Sequence, residues 1–137
     1  MADKNPIRML AACGLLALSG CAGVDTAQQE PTRVLLTHDE LKALLSTTRT
    51  VRIVTQGAKV IGVYGQDGTA SVEWGTGSAR GTWRLADNKF CSKYPGIRRG
   101  YETCYVFQKT GENRYSLFYA DGGPEDGKLS GTWAVEK

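Results

Sequence analysis

The single histidine of this 137-residue chain, His38, limits what chemistry the sequence can perform. Nucleophilic catalysis with an imidazole base would have to run through it. It stands between Thr37 and the acids Asp39 and Glu40, a composition that reads as an exposed helix start. No G-x-S-x-G, H-E-x-x-H or Walker sequence is present. Glu73 and Asp121 have the right groups for paired acid–base work, but no feature of the sequence brings them together. Asp121, Glu125 and Asp126 lie in a glycine-rich stretch and offer the oxygen donors that calcium favours. Their spacing does not follow an EF-hand, and Gly, Pro and Asp are ordinary turn residues. The expectation is a non-catalytic protein without cofactor or resident metal.

Two other groups of residues carry binding chemistry. Residues 92–101, SKYPGIRRGY, combine Lys93, Arg98 and Arg99 with Tyr94 and Tyr101. Arginine and tyrosine are the usual anchors of interfaces, and cation plus aromatic grips anionic glycans or phosphates. The loop is therefore a candidate binding surface for an envelope protein or an anionic glycan. The alternative is a solvated hairpin whose charges protect an edge strand. Trp74, Trp83 and Trp133 form the second group, a candidate lining for a small-molecule cavity. Here the alternative is that they fill the core at the corners of a curled sheet. Gly81-Thr82-Trp83 and Gly131-Thr132-Trp133 repeat one tripeptide, and strand alternation puts glycine and tryptophan on one face.

The elements that position these residues follow from pattern. Thr37 with Glu40 forms a capping box, and Leu41, Leu44 and Leu45 mark one apolar face, so a helix is expected over 38–46. Beyond it the period falls to two. Strands are expected at 50–56, 59–65, 69–75, 78–86, 102–109, 113–120 and 128–136, separated by Gly/Asp/Asn turn signals. Short connections require antiparallel neighbours. The fold class is thus mainly β: a curled antiparallel meander of about seven or eight strands, barrel-like or strongly bent, with one short N-terminal helix across one open end or edge. Of the 17 glycines, 14 lie from Gly57 onward, the mark of a tightly turning sheet.

Composition narrows the classes further. With 41% hydrophobic and 23% charged residues, the chain is neither disordered throughout nor a multi-span membrane protein. A formal charge of +3 is too small for a dedicated nucleic-acid binder.

The first residues read as an address. Lys4 and Arg8 precede an apolar run over 9–18, and Ser19 and Gly20 follow, the layout of a secretory signal. The run is about half the roughly 20 residues that span a bilayer as a helix. Leu18-Ser19-Gly20-Cys21 resembles the lipobox of bacterial lipoproteins. That resemblance implies cleavage before Cys21 and lipidation of its sulfur and N-terminus, so that the membrane is a partner through the lipid. Ala22, in place of an aspartate, implies an outer-membrane lipoprotein facing the periplasm. The expected organisation is a signal peptide at 1–20, a lipidated cysteine and flexible tether at 21–33, and a β domain at 34–137.

Export also sorts the cysteines. Cys13 leaves with the signal and Cys21 carries lipid. Cys91 and Cys104 remain in an oxidising compartment and are expected to form a disulfide. Twelve residues separate them, unlike the C-x-x-C of a redox pair. Gly81-Thr82-Trp83, Phe90-Cys91, Tyr94-Pro95, Cys104-Tyr105-Val106-Phe107 and Tyr115-Ser116-Leu117-Phe118 together resemble a group of small exported bacterial proteins of uncharacterised function. The resemblance implies a disulfide-bonded β domain and no active residues. Ser130-Gly131 and Gly127-Lys128 partly echo the recognition segments of lipid-anchored lysozyme inhibitors. A positively charged chain gains no attraction to basic lysozymes, so this resemblance leaves inhibition of a cell-wall hydrolase as an alternative.

Overall fold

The computed structural model describes residues 33–137. The expected signal peptide, the expected lipidation at Cys21 and the expected tether up to residue 32 fall outside the described residues. From Arg33 the chain forms one compact unit.

Helix α1, His38–Leu44, begins with the capping box expected from its sequence. The Thr37 hydroxyl accepts from the Glu40 amide, and the Glu40 carboxylate accepts from the Thr37 amide at 2.7 Å. Two of the four otherwise unpaired donors of the helix start are thereby satisfied. Leu41 and Leu45 are buried and join the core.

Eight strands follow: β1 Arg49–Thr55, β2 Ala58–Tyr64, β3 Thr69–Trp74, β4 Gly77–Ala86, β5 Lys89–Lys93, β6 Thr103–Gly111, β7 Arg114–Tyr119 and β8 Leu129–Val135. Each pairs antiparallel with the next, and β1 pairs with β8 over Val51↔Val135 to Thr55↔Gly131, closing the barrel. Closure decides between the two architectures that the sequence left open, and it removes any sheet edge. The loop charges at 92–101 therefore protect no edge strand.

Seven of these strands fall where period-two alternation put them. The unanticipated one is β5, whose inward positions are Phe90 and Ser92, while Cys91 points outward. A buried inward serine and a buried outward cysteine invert the apolar alternation that marks a strand.

Inside the barrel, aromatic side chains form a layer. Trp133 stacks on Tyr64 with ring centroids 4.7 Å apart, and meets Phe107 at 4.9 Å and Phe90 at 5.2 Å edge-on. Offset and edge-to-face geometries suit the ring quadrupoles. Between this layer and one end of the barrel lies a sealed apolar core that includes Leu36, Leu41, Leu45, Val51, Tyr115 and Val135. Helix α1 plugs that end. Leu36 donates its amide to the Phe107 carbonyl at 2.8 Å, and His38 Nδ1 donates to the Asp87 carbonyl at 2.6 Å. The sole imidazole thus ties the helix to the β4–β5 turn.

The repeated Gly-Thr-Trp marks two close approaches between strands. A Cβ added at Gly81 would collide with the Lys93 carbonyl on the path out of β5, and one at Gly131 with the Val54 carbonyl of β1. In both cases the obstacle is backbone, which cannot rotate away. Gly81→Ala and Gly131→Ala are each expected to lower unfolding free energy by about 2–3 kcal/mol, the cost of overpacking. Chemical denaturation checks this, and an unchanged midpoint would contradict it.

The Cys91–Cys104 disulfide is formed, between residues directly opposite each other on β5 and β6. It closes a loop of about 14 residues, which corresponds to roughly 3 kcal/mol in the chain-entropy account. The Cys91→Ser/Cys104→Ser double variant should lose about that much stability while keeping the far-ultraviolet circular dichroism of the barrel.

Candidate functional site

The end opposite the helix is open. There the aromatic layer becomes the floor of a cavity of about 320 Å³, with Tyr64, Phe90 and Trp133 in its base. Ile53, Val60, Val72 and Leu117 supply apolar walls. The rim comes from the β1–β2 turn at Gln56, from Trp74 at the end of β3, from Ile97, Arg98 and Tyr101 of the β5–β6 loop, and from Ser130 and Gly131 of β8. Trp74 is 37% and Tyr101 70% exposed, so the rim of the cavity reaches solvent. Its volume reaches the lower range of small-molecule sites.

Polar groups converge on one side of this cavity. Ser92 and Thr103 are opposite each other on β5 and β6, and both are buried. The hydroxyls of Tyr64 and Tyr94 lie 3.4 Å apart. Burial pushes the phenols of Tyr64, Tyr94 and Tyr105 above the ordinary tyrosine range, with nearby Arg98 opposing the effect at Tyr105. These groups are therefore neutral hydroxyls at physiological pH, able both to donate and to accept. No described buried side-chain nitrogen or oxygen lacks a partner, so this polar wall is internally satisfied.

Arg98 overhangs that wall. Its Nη2 donates to the Tyr119 hydroxyl at 2.7 Å and its Nη1 to Thr103 Oγ1 at 3.3 Å, with the guanidinium 4.9 Å from the Tyr119 ring centroid. The loop reaches this position through an unusual backbone. Arg98, Arg99 and Gly100 have φ of 49°, 57° and 77°, three successive left-handed residues of which two carry side chains.

The residues expected to bind separate into two sets. Tyr94, Arg98, Tyr101, Trp74 and Trp133 line the cavity, while Lys93, Arg99 and Trp83 do not. Lys93 pairs with Thr82 on the outward register of β4 and β5. Trp83 faces inward but belongs to the core: it stacks near Phe90 at 5.9 Å and donates its indole N–H to the Gly65 carbonyl at 2.8 Å. Sequence reasoning missed Ser92, Thr103, Tyr105 and Tyr119. The signal for them is alternation about Phe90 and Phe107, which places all four inward once β5 is recognised.

The other candidate chemistry stays apart. Glu73 is exposed, opposite Ser78 and Ile61 on neighbouring strands, and Asp121 accepts from the Gly123 amide of its own turn at 3.1 Å. Asp126 caps the same turn at Gly122, and Glu125 pairs with Lys128 at 3.3 Å. Among the described residues, the one cluster with metal-ligand spacing is Cys91, Glu102 and Cys104, whose sulfurs are bonded to each other. Glu102 instead binds Arg84 through both its oxygens, which holds its carboxyl below the ordinary range.

Fold and site together define a closed, eight-stranded up-and-down barrel plugged at one end and hollow at the other. No family model matches the chain, and neither the curated proteins nor the solved structures hold a match to it.

The raised phenols predict alkaline behaviour. Unfolded tyrosine ionises near pH 10. The folded values of Tyr64, Tyr94, Tyr105 and Tyr115 lie higher because of burial, so above that pH the native state binds more protons than the unfolded state. Stability from these groups is complete below about pH 10 and is lost as pH rises toward the folded values. Phenolate absorbance should show these four titrating late and together with loss of native circular dichroism. Ionisation of all six tyrosines near pH 10 with the fold intact would contradict it.

Proposed function

We propose that this domain is a non-catalytic binding barrel, holding one small, largely apolar molecule in its open end, on an exported and lipid-anchored chain. The cavity carries the reading. An interior of eight strands is just wide enough either to be filled by side chains or to hold a small ligand. Here the half next to α1 is filled and the other half is lined. Its floor is aromatic, its walls are aliphatic, and a few neutral hydroxyls converge on one side, the usual composition of a small-molecule site. The disulfide supports export, since such bonds persist in oxidising compartments. The lipobox resemblance at Cys21 supports the anchor and an outer-membrane address. The hydrolase-inhibitor alternative finds less support, because Ser130 and Gly131 lie within β8 on the cavity rim and not on a projecting loop.

Fluorescence titration of the purified chain with neutral N-phenyl-1-naphthylamine tests this. Single-site, saturable enhancement is expected. Val60→Trp, which fills space beside Trp74, should weaken binding by about tenfold or more while the circular dichroism is retained. A flat titration of the folded wild-type chain would remove the proposal.

A further inference from the structure

We propose that the cavity selects an amphiphile with a single carboxylate head, gripped by Arg98 at the rim, and with its apolar body on the Tyr64–Phe90–Trp133 floor. This rests on the binding-barrel reading and narrows it to one ligand class.

Charge is the first observation. Arg98 is the one charged side chain in the cavity lining, and the lining contains no carboxylate. None of the four ion pairs among the described residues involves it. Arg52 and Arg84, by contrast, have glutamate partners. A guanidinium offers five N–H donors in a planar fork. Two are engaged by Tyr119 and Thr103, which fix the orientation of the plane. The others remain for an incoming anion, and the fork matches the two oxygens of a carboxylate.

Backbone is the second. Non-glycine residues rarely adopt the left-handed region, and two in succession persist only where the surroundings hold them. The Gly100 amide bonds the Ile97 carbonyl at 2.9 Å, the Tyr101 amide bonds the Arg98 carbonyl at 3.0 Å, and the disulfide fixes the flanking strands. The result aims Arg98 at the cavity and leaves its neighbour Arg99 outside it. One cation matches one negative charge. Beside it the Tyr105 phenol, close enough to Arg98 to feel its charge, is neutral and does not repel the same head group.

Calorimetry on the whole chain at neutral pH and low ionic strength, with two matched pairs of probes, tests the assignment. The pairs are decanoate with decan-1-ol, and 4-phenylbutyrate with 4-phenylbutan-1-ol. At least one acid should bind about tenfold or more tighter than its alcohol, as expected for charge-assisted hydrogen bonds. Arg98→Gln should abolish that preference while leaving the affinity for the alcohol, and Arg99→Gln should leave the preference intact. Arg98→Asn, better suited to a left-handed backbone, serves where the glutamine variant does not fold. Equal affinity for acid and alcohol, or a preference that survives loss of Arg98, overturns the carboxylate assignment. If N-phenyl-1-naphthylamine still binds in that case, the barrel reading stands alone. Failure of every probe, the neutral fluorophore included, removes both.

Discussion

The aromatic layer of Tyr64, Phe90, Phe107 and Trp133 is the contact on which the rest of the molecule depends. A barrel of eight strands has a narrow interior, and its two halves can be treated differently only if something wide and rigid stands between them. Rings do this with little conformational entropy lost, and they interlock through edge-on and stacked contacts. On one side the leucines of α1 and its lead-in complete a dry core. On the other side the same rings present their remaining surface to a cavity. One set of residues is therefore both the centre of the core and the floor of the site, and a substitution at Phe90 or Trp133 bears on stability and cavity shape at once.

The two ends are built by different means. Turns at the plugged end are short, and the helix and its lead-in are tied to this end by the Leu36 amide on the Phe107 carbonyl and the His38 imidazole on the Asp87 carbonyl. At the open end, β5 and β6 are joined by the long loop over residues 94–102, anchored at its base by the disulfide. The close strand approach at Gly131 lies at this end too, on the cavity rim, whereas Gly81 lies outside the cavity lining, in a separate recess with the β2–β3 turn. The Gly-Thr-Trp repeat thus has divided roles. Its glycines permit close approach of neighbouring backbone, Trp133 joins the aromatic floor, and Trp83 is bound into the core by the Gly65 carbonyl.

Most of the fold was legible because alternation, caps and turns all pointed the same way. The helix start at Thr37 and seven strands follow directly from them. Strand β5 was not legible, for a physical reason: Ser92 faces inward on the polar side of the cavity, where an ordinary core strand would carry an apolar residue. Local rules break at positions used for something besides packing. The site was half legible. Composition drew attention to the loop and to the tryptophans. It did not distinguish Arg98 from Arg99, since two adjacent arginines differ only in where the backbone sends them. Nor did it reveal Tyr105 and Tyr119, which are ordinary strand aromatics until the barrel closes.

Holding that loop has an energetic consequence. A non-glycine residue in the left-handed region costs of order 1–3 kcal/mol, and Arg98 and Arg99 are two of them in succession. A domain of this size is stable by only about 5–15 kcal/mol, so such strain is not negligible. The Cys91–Cys104 bridge encloses the strained turn and contributes roughly 3 kcal/mol by restricting the unfolded chain. The two terms are of similar size and oppose each other within one short loop. Because the bridge acts on the unfolded chain, its contribution enters the global balance, where it offsets the cost of turning a single arginine inward over the cavity.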